Sequence, residues 1–479
     1  MAYCGKHNGG MMNFLERFFK LRDNGTTIRR EIYTGTVTFL AVSYILAVNP
    51  DILSSTGMPR GGLFYVTAIA SFAGTLAMAL IANAPLALAP AMGLNAFFAY
   101  SVVASMGYSW QLALFAVVVE GIVFFLLSVS SIREMIINAI PLPLKYAMGA
   151  GVGLFITLIA FKSAHIIKAH PATLVTIQQF FGPEFHTAGI SALLALAGTL
   201  LTAFLMHRQI SGALLFGIFG TWLAGIICQL TGVYHVDPAH GFYSLLPNFS
   251  KTAFTVPMQE FCGLFGSAFD AGNWSVKSAE VSGIRLLLTP DFAVICFAFL
   301  FTDFFDTVGT VSGAVVNTPL MKSDGEILRL RKILLADSVA TFVGGVIGTS
   351  TTTTFAESAV GIRAGARTGL AALTCAGLFL VSLVTAPVFL AIPGFATAPA
   401  LVIVGFLMIR AITNIDWDDI ASAVPAYILI VSIVFTYNIS DGLGLGIISY
   451  VILNCRRKGR VHWILWMVAI LFIVKYLCL

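Results

Sequence analysis

Charged residues are scarce in this sequence. Asp, Glu, Lys and Arg make up 10% of its 479 residues, while 58% are hydrophobic; an ordinary soluble domain has about 25% charged residues. The mean hydropathy is +0.92. So few charges cannot cover the surface of one or two soluble domains of this size. The composition excludes a soluble enzyme, a nucleic-acid-binding protein and a disordered protein as descriptions of the whole chain, and it predicts an integral membrane protein.

Residues in metal-binding or redox patterns are also few. No two of the seven cysteines stand at metal-ligand or redox spacing, so we interpret them as small hydrophobic residues. His165 and His170 are off the helical register that a metal site needs. The net charge of +5 is scattered between hydrophobic runs. We therefore expect no cofactor, no metal and no nucleic-acid partner.

Hydrophobic runs are what the sequence has in abundance. A membrane-spanning helix needs about 20 apolar residues, and seven such runs, some shortened by glycine and proline, lie on each side of a polar stretch, 232–289. An odd number of spans in each half makes the two halves inverted. The predicted fold class is an all-α integral membrane protein of about 14 transmembrane segments in two inverted repeats of seven. The predicted spans are 31–54, 63–82, 86–104, 110–130, 143–165, 187–206, 212–231, 290–316, 333–349, 351–362, 369–391, 398–412, 424–438 and 442–455.

Basic residues are distributed unevenly between the predicted loops. With the N-terminus in the cytoplasm, most lysine and arginine residues fall on the cytoplasmic side, as the positive-inside rule requires. We expect a multi-pass protein of the plasma membrane (the cytoplasmic membrane in a bacterium) with a cytoplasmic N-terminus. The tail 461–479 is either a fifteenth span or an interfacial helix, and Trp463, Trp466 and Lys475 favour the interface.

Two of the predicted spans cannot be regular helices. The third span of the first half contains Pro85, Pro90 and Gly93, and each proline removes a backbone donor. The third span of the second half, 349–362, opens with a run of Ser and Thr residues. Irregular backbone at membrane depth is tolerated only where it is buried in protein or lines a cavity. The matched pair predicts a transporter of inverted repeats, with strand and half-helix breaks in spans 3 and 10 and the substrate at the midplane.

Four carboxylates lie inside apolar runs: Glu120, Asp303, Asp306 and Glu357. A carboxylate at bilayer depth costs at least ~2.5–3.5 kcal/mol, so each is a candidate functional residue. Asp303 and Asp306 share one helix face, one turn apart. Burial and mutual repulsion favour protonation of at least one of them. We interpret the pair as a proton site; the alternative is helix capping, or hydrogen bonds to Thr302 and Thr307.

Glu357 and Asn95 stand in the two interrupted spans. Glu357 follows the threonine run, where it binds substrate or caps the half-helix beginning near Ala356, and these roles are compatible. The Asn95 amide can donate and accept at once, so it binds substrate or stabilises a turn. Glu120 either has a functional role or pairs with a neighbouring helix.

Three segments, PAMGLNAFFAY, FTDFFDTVGT and TTTTFAESAVGIRAGARTGL, resemble the AzgA-like purine permeases. These form a branch of the nucleobase–cation symporter-2 (xanthine/uracil permease) superfamily. The N-terminal FLERFFKLRDNGTTIRREIYTGTVTFLAVSYILAVNPDIL is also similar to that branch. The resemblance runs from about Asn13 to the C-terminus, and the three motifs are specific in combination. It implies import of hypoxanthine, guanine or adenine by proton symport with alternating access.

The resemblance also implies positions for the site. The family's substrate-binding positions fall on Asn95, Asp303 and Glu357, and Asp306 is needed for function; we assign proton coupling to Asp306 and Asp303. A purine base is flat, neutral and rich in edge donors and acceptors. A carboxylate can accept two adjacent N–H groups of such a base, as guanine offers.

The resemblance further implies a core domain, a gate domain and a homodimer formed through the gate. The expected partners are a small-molecule purine base and the lipid bilayer, and the expected coupling ion is H⁺, with Na⁺ as the alternative. The domain boundaries are 29–131 (core, spans 1–4), 132–232 (gate, spans 5–7), 290–391 (core, spans 8–11) and 392–455 (gate, spans 12–14).

Two other functions stay open. One is a uracil, xanthine or other small-solute carrier of the same fold. The other is a membrane enzyme that uses the Asp303/Asp306 pair with a metal. No His, Cys or third carboxylate stands nearby at ligand spacing, so we expect a transporter and not an enzyme.

Overall fold

The computed structural model describes residues 15–129, 141–170, 173–237, 241–250, 252–276, 283–315, 329–455 and 461–478. These residues are mostly helical, and eight helices among them are long and apolar enough to cross a membrane. The α-helices are α1 (Ile28–Val42), α2 (Ile45–Ser54), α3 (Arg60–Ala77), α4 (Met92–Ala96), α5 (Trp110–Val129), α6 (Leu142–Ser163), α7 (Ile190–His207), α8 (Ala213–Leu230), α9 (Thr252–Leu264), α10 (Pro290–Val315), α11 (Leu330–Ile347), α12 (Ser358–Ala364), α13 (Gly369–Val381), α14 (Ala386–Leu390), α15 (Gly394–Ile409), α16 (Ile420–Thr436), α17 (Ile439–Asn454) and α18 (Trp463–Cys478).

Shorter elements connect or extend these helices. Stretches of π-helix follow α3 (Met78–Ala82), follow α4 (Phe97–Ser105) and precede α7 (Phe185–Gly189). Four short strands form two antiparallel pairs. The strands are β1 (Leu88–Pro90), β2 (Ile167–His170), β3 (Leu174–Ile177) and β4 (Thr352–Thr354).

The third and tenth predicted spans are broken, as the sequence indicates. Each begins as an extended strand and continues as a half-helix: β1 leads into α4, and β4 leads into α12. The two strands pair antiparallel, with Ala89 opposite Thr353. Because every backbone group inside a membrane needs an internal partner, this pairing lets two non-helical segments lie at the centre of the bundle. The prediction of a mostly helical membrane protein with breaks in spans 3 and 10 is confirmed.

Side chains of two neighbouring helices fix the paired strands. Thr75 of α3 exchanges hydrogen bonds of 2.9 Å with the backbone N–H and C=O of Leu88. Thr341 of α11 donates to the carbonyl of Thr352 at 3.1 Å. Gly74 lets the helices approach, because a Cβ there would lie 2.9 Å from the Ala340 side chain. Helix α3 thus holds β1 in the first half of the chain, and the equivalent helix α11 holds β4 in the second half.

The predicted first span, 31–54, lies within one helical stretch, Ile28–Ser54, that has a local interruption of its hydrogen-bond pattern. The interruption falls at Ser43 and Tyr44, between α1 and α2, and both residues keep right-handed helical backbone angles. Tyr44 is fully buried. A phenol therefore lies in the middle of the first span.

The polar stretch 232–289 packs on the helix bundle. The Glu260 carboxylate of α9 accepts a 2.7 Å hydrogen bond from the backbone N–H of Gly62. This is one of the unpaired donors at the start of α3, where a negative charge also suits the helix dipole. A Cβ on Gly62 would lie 2.9 Å from the Glu260 backbone, so the small residue allows the contact.

The C-terminal helix α18 lies lengthwise against α17. The Tyr476 hydroxyl near its end donates to the carbonyl of Asp441 near the start of α17. A Cβ on Gly444 would clash with the Phe472 ring, and Phe472 and Leu465 are buried. The two helices are therefore antiparallel neighbours in the bundle.

Candidate functional site

One short segment, 350–358, collects the polar residues that the sequence analysis singled out. It contains β4 and the start of α12, and most of its hydroxyl groups contact a different helix. All of its Ser and Thr residues are buried. A buried hydroxyl needs a partner, and here the partners are carboxylates and an amide brought from distant parts of the chain.

Asn95 of α4 meets this segment at Ser350. The Ser350 hydroxyl donates a short hydrogen bond to the Asn95 side-chain carbonyl, and both residues are fully buried. The Asn95 amide nitrogen has no hydrogen-bond partner among the described residues. An unpaired buried donor costs about 1–3 kcal/mol. Asn95 therefore keeps an amide donor without a described partner, and it is not simply a satisfied turn residue.

Glu357 lies directly before α12. Its carboxylate makes no capping hydrogen bond to the helix, although the residue occupies the N-cap position. Instead its Oε1 accepts a 2.7 Å hydrogen bond from the Tyr44 hydroxyl. Glu357 is half-buried and Ala356 before it is exposed. The carboxylate is therefore accessible, and its geometry favours the binding interpretation over the capping alternative.

Asp303 of α10 is linked to the same segment through α11. The Thr341 hydroxyl lies 3.3 Å from the Asp303 Oδ2 and 3.1 Å from the carbonyl of Thr352. Asp303 is fully buried. Asp306 belongs to the same helix, but its side chain lies outside the part of the chain that the structure describes. Of the predicted pair Asp303 and Asp306, the structure therefore locates only the Asp303 side chain.

Glu120 of α5 has a clear place in the site. Its Oε2 accepts a 2.7 Å hydrogen bond from Thr351, and the residue is buried. Its carboxyl group also lies near those of Asp303 and Asp337. Of the two interpretations of Glu120, pairing with a neighbouring segment is what the structure shows, and its partner is the interrupted tenth span.

Asp337 of α11 is a site residue that the sequence analysis missed. It is fully buried and accepts hydrogen bonds from Thr307 at 2.7 Å, Thr353 at 3.1 Å, and both the backbone N–H (3.0 Å) and hydroxyl (3.1 Å) of Thr354. It therefore joins α10, α11 and β4. A signal was present, since Asp337 also interrupts an apolar run, LLADSVATFVGG.

The arrangement provides hydrogen-bond recognition next to a group of buried carboxyls. Glu357 supplies an accessible acceptor and Asn95 a donor, and both are attached to segment 350–358. Glu120, Asp303 and Asp337 are buried on three helices around β4. In the described residues, no group of three or more His, Cys, Asp or Glu side chains is placed to hold a metal ion. The side chains of the candidate site are hydrogen-bond donors and acceptors.

Fold and site together define a membrane transporter. Residues 29–444 match the family model Xan_ur_permease, described as "Permease family". The chain therefore belongs to this family, and it is a permease rather than an enzyme.

Curated relatives cover almost the whole chain. It is 39% identical to "Guanine/hypoxanthine permease PbuO" of Bacillus subtilis, over 95% of this chain and 99% of the relative. It is 35% identical to "Adenine permease AdeP" of Escherichia coli, over 96% and 95%. The resemblance to purine permeases inferred from the motifs is confirmed.

The solved structures that it resembles include the membrane domain of a transporter. The transmembrane domain of the cyanobacterial bicarbonate transporter BicA gives a TM-score of 0.56 at 16% identity and covers 87% of this chain and 97% of that one. At this identity the likeness shows the fold alone, which is an all-helical transporter fold with core and gate.

Proposed function

We propose that this permease imports the purine nucleobases hypoxanthine, guanine or adenine by proton symport with alternating access. The observation that carries the proposal is the attachment of an accessible acceptor, Glu357, and an unpaired donor, Asn95, to one buried segment. Its relatives include proteins named as guanine/hypoxanthine and adenine permeases.

The donor and acceptor suit a purine edge. Guanine and hypoxanthine each present an N–H beside a ring carbonyl. A carboxylate accepts from the N–H, and an amide nitrogen donates to the carbonyl. In this proposal Glu357 and Asn95 perform these two tasks, and Asp303 completes the binding set as the motifs imply. A site built from buried hydrogen-bonding groups rejects ligands that leave those groups unpaired.

Proton coupling is supported by the buried carboxyls. Glu120, Asp303 and Asp337 are buried and contact hydroxyl groups of neighbouring segments. Membrane carboxyls of this kind mark proton relays. We assign the transported proton to Asp306 and Asp303, and we take H⁺ rather than Na⁺ as the coupling ion.

Alternating access needs contacts between core and gate that can break. Such contacts join the end of the first span to the start of α15: Thr397 donates to Asp51 at 3.0 Å, and Arg60 donates to the carbonyl of Ile392 at 2.6 Å. With the domain boundaries proposed above, Asp51 and Arg60 belong to the core and the other two residues to the gate. We propose a cytoplasmic N-terminus, which places these contacts on the outer side, and a homodimer formed through the gate.

Transport by the purified chain in proteoliposomes tests the proposal. We expect an inward-directed proton gradient to drive accumulation of radiolabelled guanine, and a protonophore to abolish it. Unlabelled hypoxanthine and adenine should compete. Asp303→Asn should abolish accumulation at unchanged protein abundance. Accumulation that follows a sodium gradient would contradict proton coupling, and stronger competition by uracil than by any purine would identify the uracil branch instead.

A further inference from the structure

Tyr44 is the described side chain that hydrogen-bonds to the Glu357 carboxylate. Its hydroxyl donates to Oε1 at 2.7 Å. Tyr44 is fully buried at the interruption between α1 and α2, and its ring lies 6.3 Å from that of Phe355. No second side chain among the described residues bonds to this carboxylate. The contact therefore joins the first span of one half to the interrupted span of the other.

The helix that carries Tyr44 is fixed along the half-helix that follows Glu357. Thr38 of α1 fills the space beside Gly361 of α12, where a Cβ would clash with its hydroxyl. At the far end, the buried Glu31 accepts hydrogen bonds from the backbone N–H groups of Arg367 (3.0 Å) and Thr368 (3.1 Å). The α1 helix is thus held at several levels, so the position of the Tyr44 phenol relative to Glu357 is set by the fold.

This geometry divides the two oxygens of Glu357 between the protein and a ligand. An oxygen that already accepts a short hydrogen bond is a weaker acceptor for a second donor, because part of its charge is already neutralised. Oε1 is engaged by Tyr44, so Oε2 is the stronger acceptor left for a ligand. A fixed carboxylate also loses less side-chain freedom when the ligand binds.

We propose that Tyr44 is a positioning and specificity-determining residue: it holds Glu357 so that one oxygen, and not two, receives the N–H groups of the transported base. This inference rests on the proposed function. It differs from the expectation from sequence that Glu357 accepts two adjacent N–H groups side by side. A base with one N–H at this edge, such as hypoxanthine, is then recognised nearly as well as guanine, which has two.

Tyr44→Phe removes the hydroxyl and keeps the ring. We expect the Kd of hypoxanthine to rise by up to about tenfold, because the carboxylate that Tyr44 no longer holds must be ordered when the base binds. Guanine should lose less, because Oε1 becomes available for its second N–H. The ratio of the Kd of hypoxanthine to that of guanine should therefore rise by about threefold or more.

A double-mutant cycle separates this role from a structural one. Kd values for guanine and hypoxanthine are measured by calorimetry on the wild type, Tyr44→Phe, Glu357→Gln and the double variant. If Tyr44 acts through Glu357, adding Tyr44→Phe to Glu357→Gln changes the Kd values little. The matched control is Tyr437→Phe, which removes a buried hydroxyl without a hydrogen-bond partner in the described structure and should leave both Kd values unchanged.

The outcomes distinguish the two proposals. A wild type that binds no purine overturns the proposed function. The role of Tyr44 is overturned by a different result. In that case the wild type binds purines, but Tyr44→Phe weakens the binding of both bases by the same factor, and it does so equally in the wild-type and Glu357→Gln backgrounds. If Tyr44→Phe is poorly folded, the same Kd ratio is measured on Glu357→Asp, whose shorter side chain moves the carboxylate away from the Tyr44 hydroxyl; an unchanged ratio in this variant also overturns the role of Tyr44.

Discussion

The two interrupted spans occupy equivalent places in the two halves but differ in chemistry. In span 3 the strand is Leu88–Pro90, with apolar side chains, while in span 10 it is Thr352–Thr354, with a hydroxyl on every residue. Span 3 relies on other segments for its polar contacts: Thr75 bonds to Leu88, and Ser358 accepts from the backbone N–H of Ala87. Span 10 supplies its own hydroxyls. The first break is therefore mainly a scaffold that contributes Asn95, and the second supplies most of the polar side chains of the candidate site.

The difference shows how two halves with the same fold can contribute unequally to one site. Both halves must satisfy the backbone of a non-helical segment inside a membrane, and the pairing of Ala89 with Thr353 meets this need for both. Substrate chemistry requires side chains on one strand only. Asn95 is the main polar contribution of the first break, and it too reaches the second break through Ser350.

The largest effect is expected at Asp337, which joins span 10 to two other helices. Asp337→Ala leaves the backbone N–H of Thr354 without its acceptor, and also one hydroxyl of the hydrogen-bonded pair Thr307 and Thr353. At ~1–3 kcal/mol for each unpaired buried donor, the folded state should lose at least about 2 kcal/mol. The measurement is the melting midpoint of the detergent-purified protein by size-exclusion chromatography. Asp337→Asn keeps one acceptor and should be intermediate; an alanine variant as stable as wild type would refute this role.

A smaller, matched effect is expected for the two threonines that hold the strands. Thr75→Val and Thr341→Val each remove one buried hydroxyl, which should cost about 1–2 kcal/mol of stability in either half. Only Thr341 also contacts Asp303, so only Thr341→Val should also reduce proton-driven uptake. Melting midpoints and initial uptake rates of both variants test this. Equal losses of transport would show that the two breaks are functionally equivalent.

The smallest effect is expected at Asn95, the polar residue of the scaffold break. Asn95→Ala removes a donor that is neutral and replaceable by water. The Kd of the preferred base should rise by less than about tenfold, while the order of preference among guanine, hypoxanthine and adenine changes. A competition series on wild type and variant measures this. A variant with no detectable uptake but normal abundance would mean that span 3 contributes more than a scaffold.

The sequence was informative about the breaks because their causes are local. Proline and a Ser/Thr run at membrane depth exclude a regular helix, and Glu357 and Asn95 could be identified from their places beside these breaks. The strands and half-helices of these breaks follow from the same signals, but the pairing of β1 with β4 does not. Backbone constraints of this kind can be recognised from a few adjacent residues.

The partners could not be predicted, since they are distant in sequence. Tyr44 and Glu357 are 313 residues apart, and nothing in the first span indicates that it is interrupted at Tyr44. Asp337 was not predicted, because Ser338 and Thr341 make its helix resemble an ordinary helix with one polar face. The burial argument that selected Asp303 applies equally to Asp337. Which hydroxyl meets which carboxylate depends on the packing of the helices.

Calorimetric titration of guanine into wild type and Glu357→Gln tests the central claim most directly, namely that the break in span 10 recognises the base. Glutamine keeps the shape but replaces an acceptor oxygen by a donor NH₂, so a charge-assisted hydrogen bond worth roughly 1.5–3 kcal/mol is lost. We predict a Kd higher by about one to two orders of magnitude, with the melting midpoint unchanged. An unchanged Kd, or a loss of binding that is accompanied by an equal loss of stability, would contradict the account.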